Sequence, residues 1–402
     1  GYPTDWHADE QVRATAIEAL TGELAADGLS LYAVELMPER VSVFIENPKF
    51  AETPRAVGRT ARALARHMPA SVGLFEIVPM RSNLPVVAIP LERADLEDQV
   101  NRPDAARKSW LTAEVDDAEP REQDRFALPG GRFPRFSWRI DPQTPVSLFD
   151  PDEPVRADLA VTAAARVELT PEFSLNASAS KRIVGNLDNI TRESDSQLPR
   201  VRSDFAEYLR EGDPGITRLT ADYVTKLTPT IYGRVSGGLL ESMFAGISGE
   251  LLWKPVGRSW GVGAEVNYSR QRDFDMLFGL RDYDVVTGHA SLYWETGIYG
   301  VTTQIDAGRY LAGDWGGTIG LSRRFPNGWE IGAFATFTDV SFNEFGEGSF
   351  DKGITLTIPL NWTLPYESRS TYSAVIRPLT RDGGQRLNIA NRLYPTVVRD
   401  HG

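Results

Sequence analysis

His289 and Ser291 are the residues whose types and spacing could perform nucleophilic catalysis. They stand two positions apart in the segment YDVVTGHASLYWE (283–295), so in a β-strand both side chains would project from the same face. A histidine close to a serine can act as the base that activates the hydroxyl group. The pair has neither a carboxylate partner at an identifiable spacing nor a Gly-x-Ser-x-Gly elbow. We therefore interpret His289 as a polar residue of an interior surface rather than as the base of a catalytic pair with Ser291. We expect a protein that is not an enzyme.

Glu344, Glu347 and Asp351 form an acidic group in a glycine-containing segment. Carboxylate oxygens are the ligands that Ca²⁺ prefers, and the ion needs about six or more of them. The spacing fits no EF-hand loop, so a solvated acidic loop is the favoured interpretation. The sequence has no other metal-ligand spacing and no nucleotide-binding motif. We expect neither a metal nor a cofactor.

The elements that must position these residues belong to a chain of 402 residues with no cysteine and a net charge of −12. The lack of cysteine excludes a disulfide, a thiolate zinc site and a cysteine nucleophile in this chain. The acidic balance argues against nucleic-acid binding, which normally requires a basic surface. No run of about 18 apolar residues is present, so we expect no membrane-spanning helix. The absence of such a helix does not exclude a membrane β-barrel, which needs only strands of about ten residues.

Residues 1–100 contain an internal repeat with an offset of 43 positions. The string LYAV (31–34) aligns with LFEI (74–77), and each copy has a helical stretch before it and a second apolar run after it. This order predicts a small α+β module of two αββ repeats. The region is acidic, since residues 1–130 hold 14 basic and 22 acidic side chains. Residues 101–132, with several prolines and mixed charges, are predicted to form a linker.

Residues 133–395 follow a period of two. In 260–268, for example, Trp, Val, Ala, Val and Tyr alternate with Gly, Gly, Glu and Asn. The segments run for about 10–14 residues, whereas strands of soluble proteins usually run for about 5–6, and Trp and Tyr stand near their ends, as in interfacial girdles. The pattern predicts a transmembrane antiparallel β-barrel of about 12–16 strands, whose closure pairs every backbone polar group within lipid.

The longest connections of this β region are 184–199, 271–282 and 341–352, and all are polar. Outer-membrane barrels keep long loops outside and short turns inside. These three connections are therefore predicted to be extracellular, and the module at 1–100 to be periplasmic. Such a topology requires an even number of strands between successive long loops. Our division of 199–255 leaves an odd number between the first loop and the second.

Several long strings of the β region are distinctive, among them LPRVRSDFAEYLREG (198–212), GGLLESMFAGISGELLWKP (237–255), AGRYLAGDWGG (307–317) and RPLTRDGGQRL (377–387). They resemble the YjbH family of outer-membrane proteins, which is associated with exopolysaccharide and group 4 capsule export. The resemblance implies a location in the outer membrane of a Gram-negative bacterium, with the module in the periplasm. It also implies longer lipoproteins as relatives, so we expect either a short member or the C-terminal portion of a longer protein.

The alternation assigns a set of charged, polar and tyrosine side chains to the barrel lumen, because an Arg or Lys on the lipid face near the midplane costs roughly 2–4 kcal/mol. Under the resemblance, these residues are candidates for contact with polysaccharide, by hydrogen bonding and by stacking of tyrosine rings on sugar rings. They are Arg156, Asp158, Arg166, Glu172, Arg218, Asp222, Lys226, Tyr232, Arg234, Glu250, Glu265, His289, Tyr293, Gln304, Asp306 and Glu330.

The leading hypothesis is an outer-membrane β-barrel protein that takes part in exopolysaccharide or capsule export. Its expected partners are outer-membrane lipid, the exopolysaccharide and periplasmic or outer-membrane components of a polysaccharide secretion system, with no nucleic acid. The first alternative is a structural anchor that recruits periplasmic polysaccharide-assembly partners, which a lumen filled by side chains would favour. The second is a barrel-embedded hydrolase that acts through His289 and Ser291.

Overall fold

The computed structural model describes the chain in nine pieces, which are residues 6–99, 114–120, 132–148, 153, 155–189, 196–345, 350–360, 369–377 and 381–398. The chain is mainly β, as the sequence predicts. Its strands form one small mixed sheet and one large antiparallel sheet. No helix of the described residues is long and apolar enough to cross a membrane.

The small sheet belongs to an N-terminal α+β module, in which two helix–strand–strand units follow one another. The module consists of α1 (Glu10–Asp27), β1 (Ser30–Leu36), β2 (Arg40–Glu46), α2 (Thr53–His67), β3 (Leu74–Arg81), β4 (Leu84–Pro85), β5 (Val87–Glu92), α3 (Arg93–Gln99) and β6 (Asp116–Asp117). The strand order is β1-β2-β3-β5-β6, with β4 beside β3 and with β2 and β3 parallel. Part of the segment predicted as a linker is therefore a strand of this sheet.

Local signals define the ends of the two long helices of the module. The carboxylate of Asp9 accepts the backbone N–H groups of Gln11 and Val12 at 2.9 and 3.1 Å and so caps the start of α1. Gly28 ends α1 with a left-handed φ of 82°, a conformation that glycine adopts without strain. Pro54 stands in the first turn of α2, where its missing N–H costs nothing. Both helices pack their apolar side chains on the sheet.

The large sheet contains fourteen strands of the described residues, and neighbours in sequence are neighbours in space. They are β7 (Arg135–Gln143), β8 (Val146–Leu148), β9 (Val155–Glu168), β10 (Phe173–Gly185), β11 (Gly215–Thr228), β12 (Ile231–Leu239), β13 (Phe244–Trp253), β14 (Trp260–Arg272), β15 (Leu280–Glu295), β16 (Val301–Arg309), β17 (Trp315–Arg324), β18 (Glu330–Thr338), β19 (Asp351–Pro359) and β20 (Thr371–Ile376). β7 and β8 both pair with β9. Within the described part of the chain, β7 and β20 pair along one edge only.

The hairpins give the large sheet two ends. The turn end holds the connections 169–172, 229–230, 254–259, 296–300 and 325–329, and the loop end holds 186–214, 240–243, 273–279, 310–314 and 339–350. The three connections predicted to share one side all lie at the loop end, with four strands between each successive pair. The odd strand count from the sequence is wrong, because 199–255 contains three strands, β11, β12 and β13, separated by the connections 229–230 and 240–243.

The large sheet buries polar side chains and exposes apolar ones. Along β14, Val262 and Val266 are 42% and 62% exposed, whereas Glu265 and Asn267 are 4% and 1% exposed. We call the face of the sheet that carries Glu265 the inner face and the face that carries Val266 the outer face. Every large hydrophobic side chain that the described residues expose lies between 136 and 375, and none lies in the module. The module therefore has the burial pattern of a water-soluble domain, and the large sheet has the reverse.

Three short helices interrupt or follow the large sheet. They are α4 (Phe205–Glu211) in the connection 186–214, α5 (Phe342–Phe345) in the connection 339–350, and α6 (Leu393–Val398) near the end of the chain. Residues 381–398, which precede and include α6, contain no strand. Residues 381–395, the last part of the predicted barrel range 133–395, therefore lie outside the strands and pack against the inner face of the sheet.

Candidate functional site

The sixteen candidate residues fall into two groups by burial. Those nearly shielded from solvent are Arg156, Asp158, Asp222, Lys226, Tyr232, Arg234, Glu250, Glu265, His289, Tyr293 and Asp306. Those that are partly exposed are Arg166, Glu172, Arg218, Gln304 and Glu330. Buried charges must be paired, so the partners of the first group determine what the inner face can bind.

The most buried charges of the inner face pair with each other across neighbouring strands. Arg234 on β12 donates to Glu250 on β13 at 3.0 Å and lies 3.6 Å from Glu265 on β14. The same guanidinium donates to the hydroxyls of Ser236 and Ser248, each at 2.9 Å. All these side chains are buried, so the guanidinium is held rigidly by charge-assisted hydrogen bonds.

The C-terminal segment, residues 381–398, supplies further cations to this group of acids. Arg392 donates Nε and Nη2 to the two carboxylate oxygens of Glu265, at 2.8 and 3.0 Å. Arg386 lies 2.9 Å from Asp306 and 3.5 Å from Glu265. The backbone N–H of Leu393 donates to Glu250 at 3.1 Å. The segment thus occupies the inner face over β13 to β16.

Sequence reasoning missed the C-terminal segment as a functional element. Its arginines do not follow the period of two, and their acidic partners are far away in the chain, so spacing gives no indication of the contact. The one signal available is the loss of alternation after residue 380 in a stretch that still contains Arg381, Arg386 and Arg392.

At the turn end, three candidate residues contact the module or the C-terminal segment. Lys226 donates Nζ to the backbone carbonyls of Pro85 and Val86, at 2.9 and 3.3 Å. The hydroxyl of Tyr232 donates to the Val86 carbonyl at 3.4 Å. Tyr293 stacks on Tyr394 with ring centroids 3.7 Å apart and an interplanar angle of 5°. Tyr293 is a candidate for stacking on a sugar ring, and one face of its own ring is therefore already covered by Tyr394.

A second set of contacts lies at the loop end. Asp382 is fully buried and accepts the backbone N–H groups of 201, 202 and 203 at 2.8–2.9 Å. An apolar cluster packs around it, and its members include Val201, Tyr208, Leu240, Met243, Phe244, Leu387 and Ile389. Burial raises the pKa of Tyr208 to about 12, so its hydroxyl stays neutral and donates to the Arg272 carbonyl at 2.6 Å.

His289 and Ser291 lie on the inner face, but they do not hydrogen-bond to each other. Ser291 donates its hydroxyl to Asp306 at 2.5 Å. The His289 ring meets the ring of Tyr310 edge-on, with centroids 4.7 Å apart. Among the described residues, neither ring nitrogen of His289 has a hydrogen-bond partner. The geometry therefore contains no serine–histidine hydrogen bond of the kind that activates a nucleophile.

The acidic segment near the loop end is divided among separate contacts. Glu344 accepts the Ser341 hydroxyl at 2.7 Å, and Asp351 pairs with Arg377 at 3.1 Å. Glu347 lies outside the described residues. The described part of the chain contains no group of three or more histidine and acidic side chains that could hold a metal ion.

A cavity of about 680 Å³ opens at the loop end, where the two edges of the large sheet approach each other. Residues 143–146, at the junction of β7 and β8, line one part of it, and residues 372–376 of β20 line another. The inner face of β9 and β10, the helix α4, the start of β11 and the connections 186–214, 240–243 and 273–279 supply the rest of the wall. The first and last strands of the sheet thus border the same space.

Comparisons with known proteins agree over most of the chain. A family model described as "Exopolysaccharide biosynthesis protein YbjH", with the short name YjbH, matches residues 2–399. The chain is also 31% identical over 379 residues to the "Uncharacterized lipoprotein YjbH" of Escherichia coli strain K12. That alignment covers 91% of this chain and 53% of the relative, so the chain spans about half the length of this curated relative.

Proposed function

Since the chain belongs to the YjbH family of exopolysaccharide biosynthesis proteins, we propose that it is an outer-membrane β-barrel protein that takes part in exopolysaccharide or capsule export. Its role is structural or conductive, and it catalyses no reaction. The loop end faces the outside of the cell, and the turn end with the module faces the periplasm. The description of the relative as a lipoprotein supports a location in the cell envelope.

The observation that carries the barrel proposal is the reversed burial of the large sheet. Exposed Val262 and Val266 alternate with buried Glu265 and Asn267 on the same strand, which suits hydrocarbon outside and a polar interior. Unpaired strand edges are too costly in lipid to persist. The edges of β7 and β20 border one cavity. Pairing of these two edges with each other would provide hydrogen-bond partners for the backbone groups of both strands.

Polysaccharide contact is proposed for the part of the inner face that the C-terminal segment leaves accessible. On β7, Arg139 and Asp141 pair at 2.7 Å, and their side chains are 75% and 42% exposed. The partly exposed candidates Arg166 and Glu172 lie on or beside the neighbouring strands β9 and β10. Charged groups of both signs can exchange hydrogen bonds with sugar hydroxyls without holding them tightly, as conduction requires.

The filled interior favours a second candidate function, that of a scaffold. The C-terminal segment and the module occupy the inner face from β11 to β16, and the apolar cluster covers the loop end. A barrel closed in this way would serve as an anchor that presents the module to periplasmic polysaccharide-assembly partners. The hydrolase alternative has no support from the geometry of His289 and Ser291.

The experiment is to delete the gene in its host and to measure polysaccharide separately in the medium and in the periplasm. Export predicts less polymer in the medium and more in the periplasm, whereas the scaffold role predicts less polymer in both. Complementation with the full chain should restore secretion, and complementation with a chain that lacks residues 6–99 should not. Unchanged polymer in both compartments of the deletion strain would contradict both functions.

A further inference from the structure

The cavity at the loop end differs from the rest of the inner face, because its wall is mainly apolar. The side chains of Pro145, Val146 and Ala160 line it from the first strands. The opposite parts of the wall carry Phe205, Leu209, Met243, Met276 and Val375. A volume of about 680 Å³ is within the range of about 300–1,000 Å³ that small-molecule sites occupy. The cavity can therefore accommodate a ligand, and its lining favours an apolar one.

The charged side chains of the wall are already paired with the protein. Arg182 lies 2.5 Å from Asp188, and its backbone N–H donates to Asp213 at 2.7 Å. Asp158 accepts the backbone N–H of Leu187 at 3.0 Å. A sugar ring, which needs many hydrogen bonds, would have to compete with these contacts. A hydrocarbon chain needs none of them.

Met243 and Met276 are each 7% exposed. Their flexible side chains suit a hydrocarbon chain of variable shape. Methionine has an unbranched, polarizable side chain that adapts to irregular ligands. Phe205 and Leu209 of α4 add two further apolar side chains to the same wall. Such a surface can adapt to a flexible ligand.

Both edges of the large sheet contribute to the wall of the cavity. Residues 143–146 belong to the first edge and residues 372–376 to the last. The outer face beside the first edge exposes Phe136, Trp138 and Ile140 by 59–68%. In a barrel that lies in the membrane, this surface is in contact with acyl chains, so hydrocarbon is the apolar ligand available beside this edge of the sheet.

From this arrangement we infer that the cavity between the first and last strands binds an acyl chain of an outer-membrane lipid. The inference rests on the proposed membrane location. It adds a lipid site at the junction of the sheet edges, distinct from the polar surface proposed for polysaccharide.

The test is to purify the full chain from the outer-membrane fraction, to wash it with excess detergent, and to identify retained lipid by mass spectrometry. The variant Ala160→Phe places a ring in the cavity, since Ala160 faces it from β9. The matched control is Ala164→Phe, which lies four residues along the same face of the same strand and outside the cavity wall. Leu209→Trp fills the cavity from α4 and provides an independent second variant.

The wild-type chain and Ala164→Phe should retain lipid, and Ala160→Phe and Leu209→Trp should retain at least about tenfold less. The masses separate phospholipid from the acyl chains of lipopolysaccharide, and either source supports the inference. Equal retention by all four proteins, or none by the wild-type chain recovered from the outer membrane, would overturn the lipid site alone. Absence of the wild-type chain from the outer-membrane fraction would overturn the proposed location and the lipid site with it.

Discussion

Arg392 and Glu265 are 127 positions apart in the chain, and their side chains form a two-point ion pair with hydrogen bonds of 2.8 and 3.0 Å. Only 4% of the Glu265 side chain is exposed. Burial acts to lower the pKa of Arg392, but the neighbouring acidic groups, Glu265 first and then Glu250, together outweigh it and raise that pKa, so the pair stays charged. This contact attaches the end of the chain to the middle of the large sheet.

The variant Arg392→Met should destabilise the folded protein by about 3 kcal/mol, because it leaves the buried Glu265 carboxylate without its main partner. The measurement is urea unfolding in detergent, followed by tryptophan fluorescence. Arg324→Met is the matched control, since Arg324 pairs with Glu330 at an exposed site, where a pair contributes about 0–1 kcal/mol. An equal decrease in the free energy of unfolding of the two variants would show that the buried contact of Arg392 stabilises the protein no more than an exposed ion pair does.

Removal of the C-terminal segment should open the interior. A chain that ends at residue 380 loses Arg386, Arg392 and the stacking of Tyr394 on Tyr293. In planar bilayers we expect its ionic conductance to exceed that of the full chain several-fold. The double variant Arg386→Glu/Arg392→Glu should act in the same direction, because it places like charges beside the acids of the inner face, whereas Arg258→Glu, at an exposed turn, should not. Conductance that does not differ between the full and shortened chains would mean that this segment does not block the lumen.

The variant Lys226→Met should loosen the module from the turn end. Lys226 satisfies the carbonyls of Pro85 and Val86, and a buried carbonyl without a donor costs about 1–3 kcal/mol. Hydrogen exchange of the backbone amides in 84–89 should become faster, while exchange in β14 should not change. Lys181→Met, at an exposed position of β10, is the control and should leave both rates as they are. Faster exchange in β14 as well would indicate general unfolding rather than release of the module.

The strands of the large sheet could be predicted because one face of each strand repeats the same environment at every second residue. From Trp260 to Tyr268, the outer face of β14 is apolar, and the inner face carries glycine and polar side chains. Sequence alone therefore identifies both the strand and its two faces there. The start of α2 carries a local signal of the same kind, since Pro54 stands in its first turn.

The division between β12 and β13 could not be predicted in the same way. Its connection, 240–243, contains Leu240 and Met243, which are buried in the apolar cluster of the loop end. Two of its four residues are therefore apolar and buried, which differs from the mostly polar composition by which turns are usually recognised. The ion pairs of Arg386 and Arg392 were hidden for another reason, because they join residues that no local pattern relates.

Sidedness is tested by epitope tags at the two ends of the sheet. A tag between Leu277 and Phe278 lies in an exposed part of the loop end, and an antibody should reach it on intact cells. A tag after Gly257 lies at the turn end and should become accessible only when the outer membrane is permeabilised. Exposed loop tips tolerate insertions, so both tagged proteins should fold. The reverse accessibility would place the module outside the cell and remove its proposed periplasmic partners.

The central claim, that the outer face lies in lipid, is tested most directly by labelling two adjacent residues of β14 in native outer membranes. The chain has no cysteine, so Val266→Cys and Asn267→Cys each introduce a single thiol, at positions that are 62% and 1% exposed. A membrane-soluble maleimide should label Val266→Cys, and a charged maleimide should not. Asn267→Cys should react with neither reagent until the protein is unfolded. Rapid reaction of Val266→Cys with the charged maleimide in intact membranes would place the outer face in water and contradict the account.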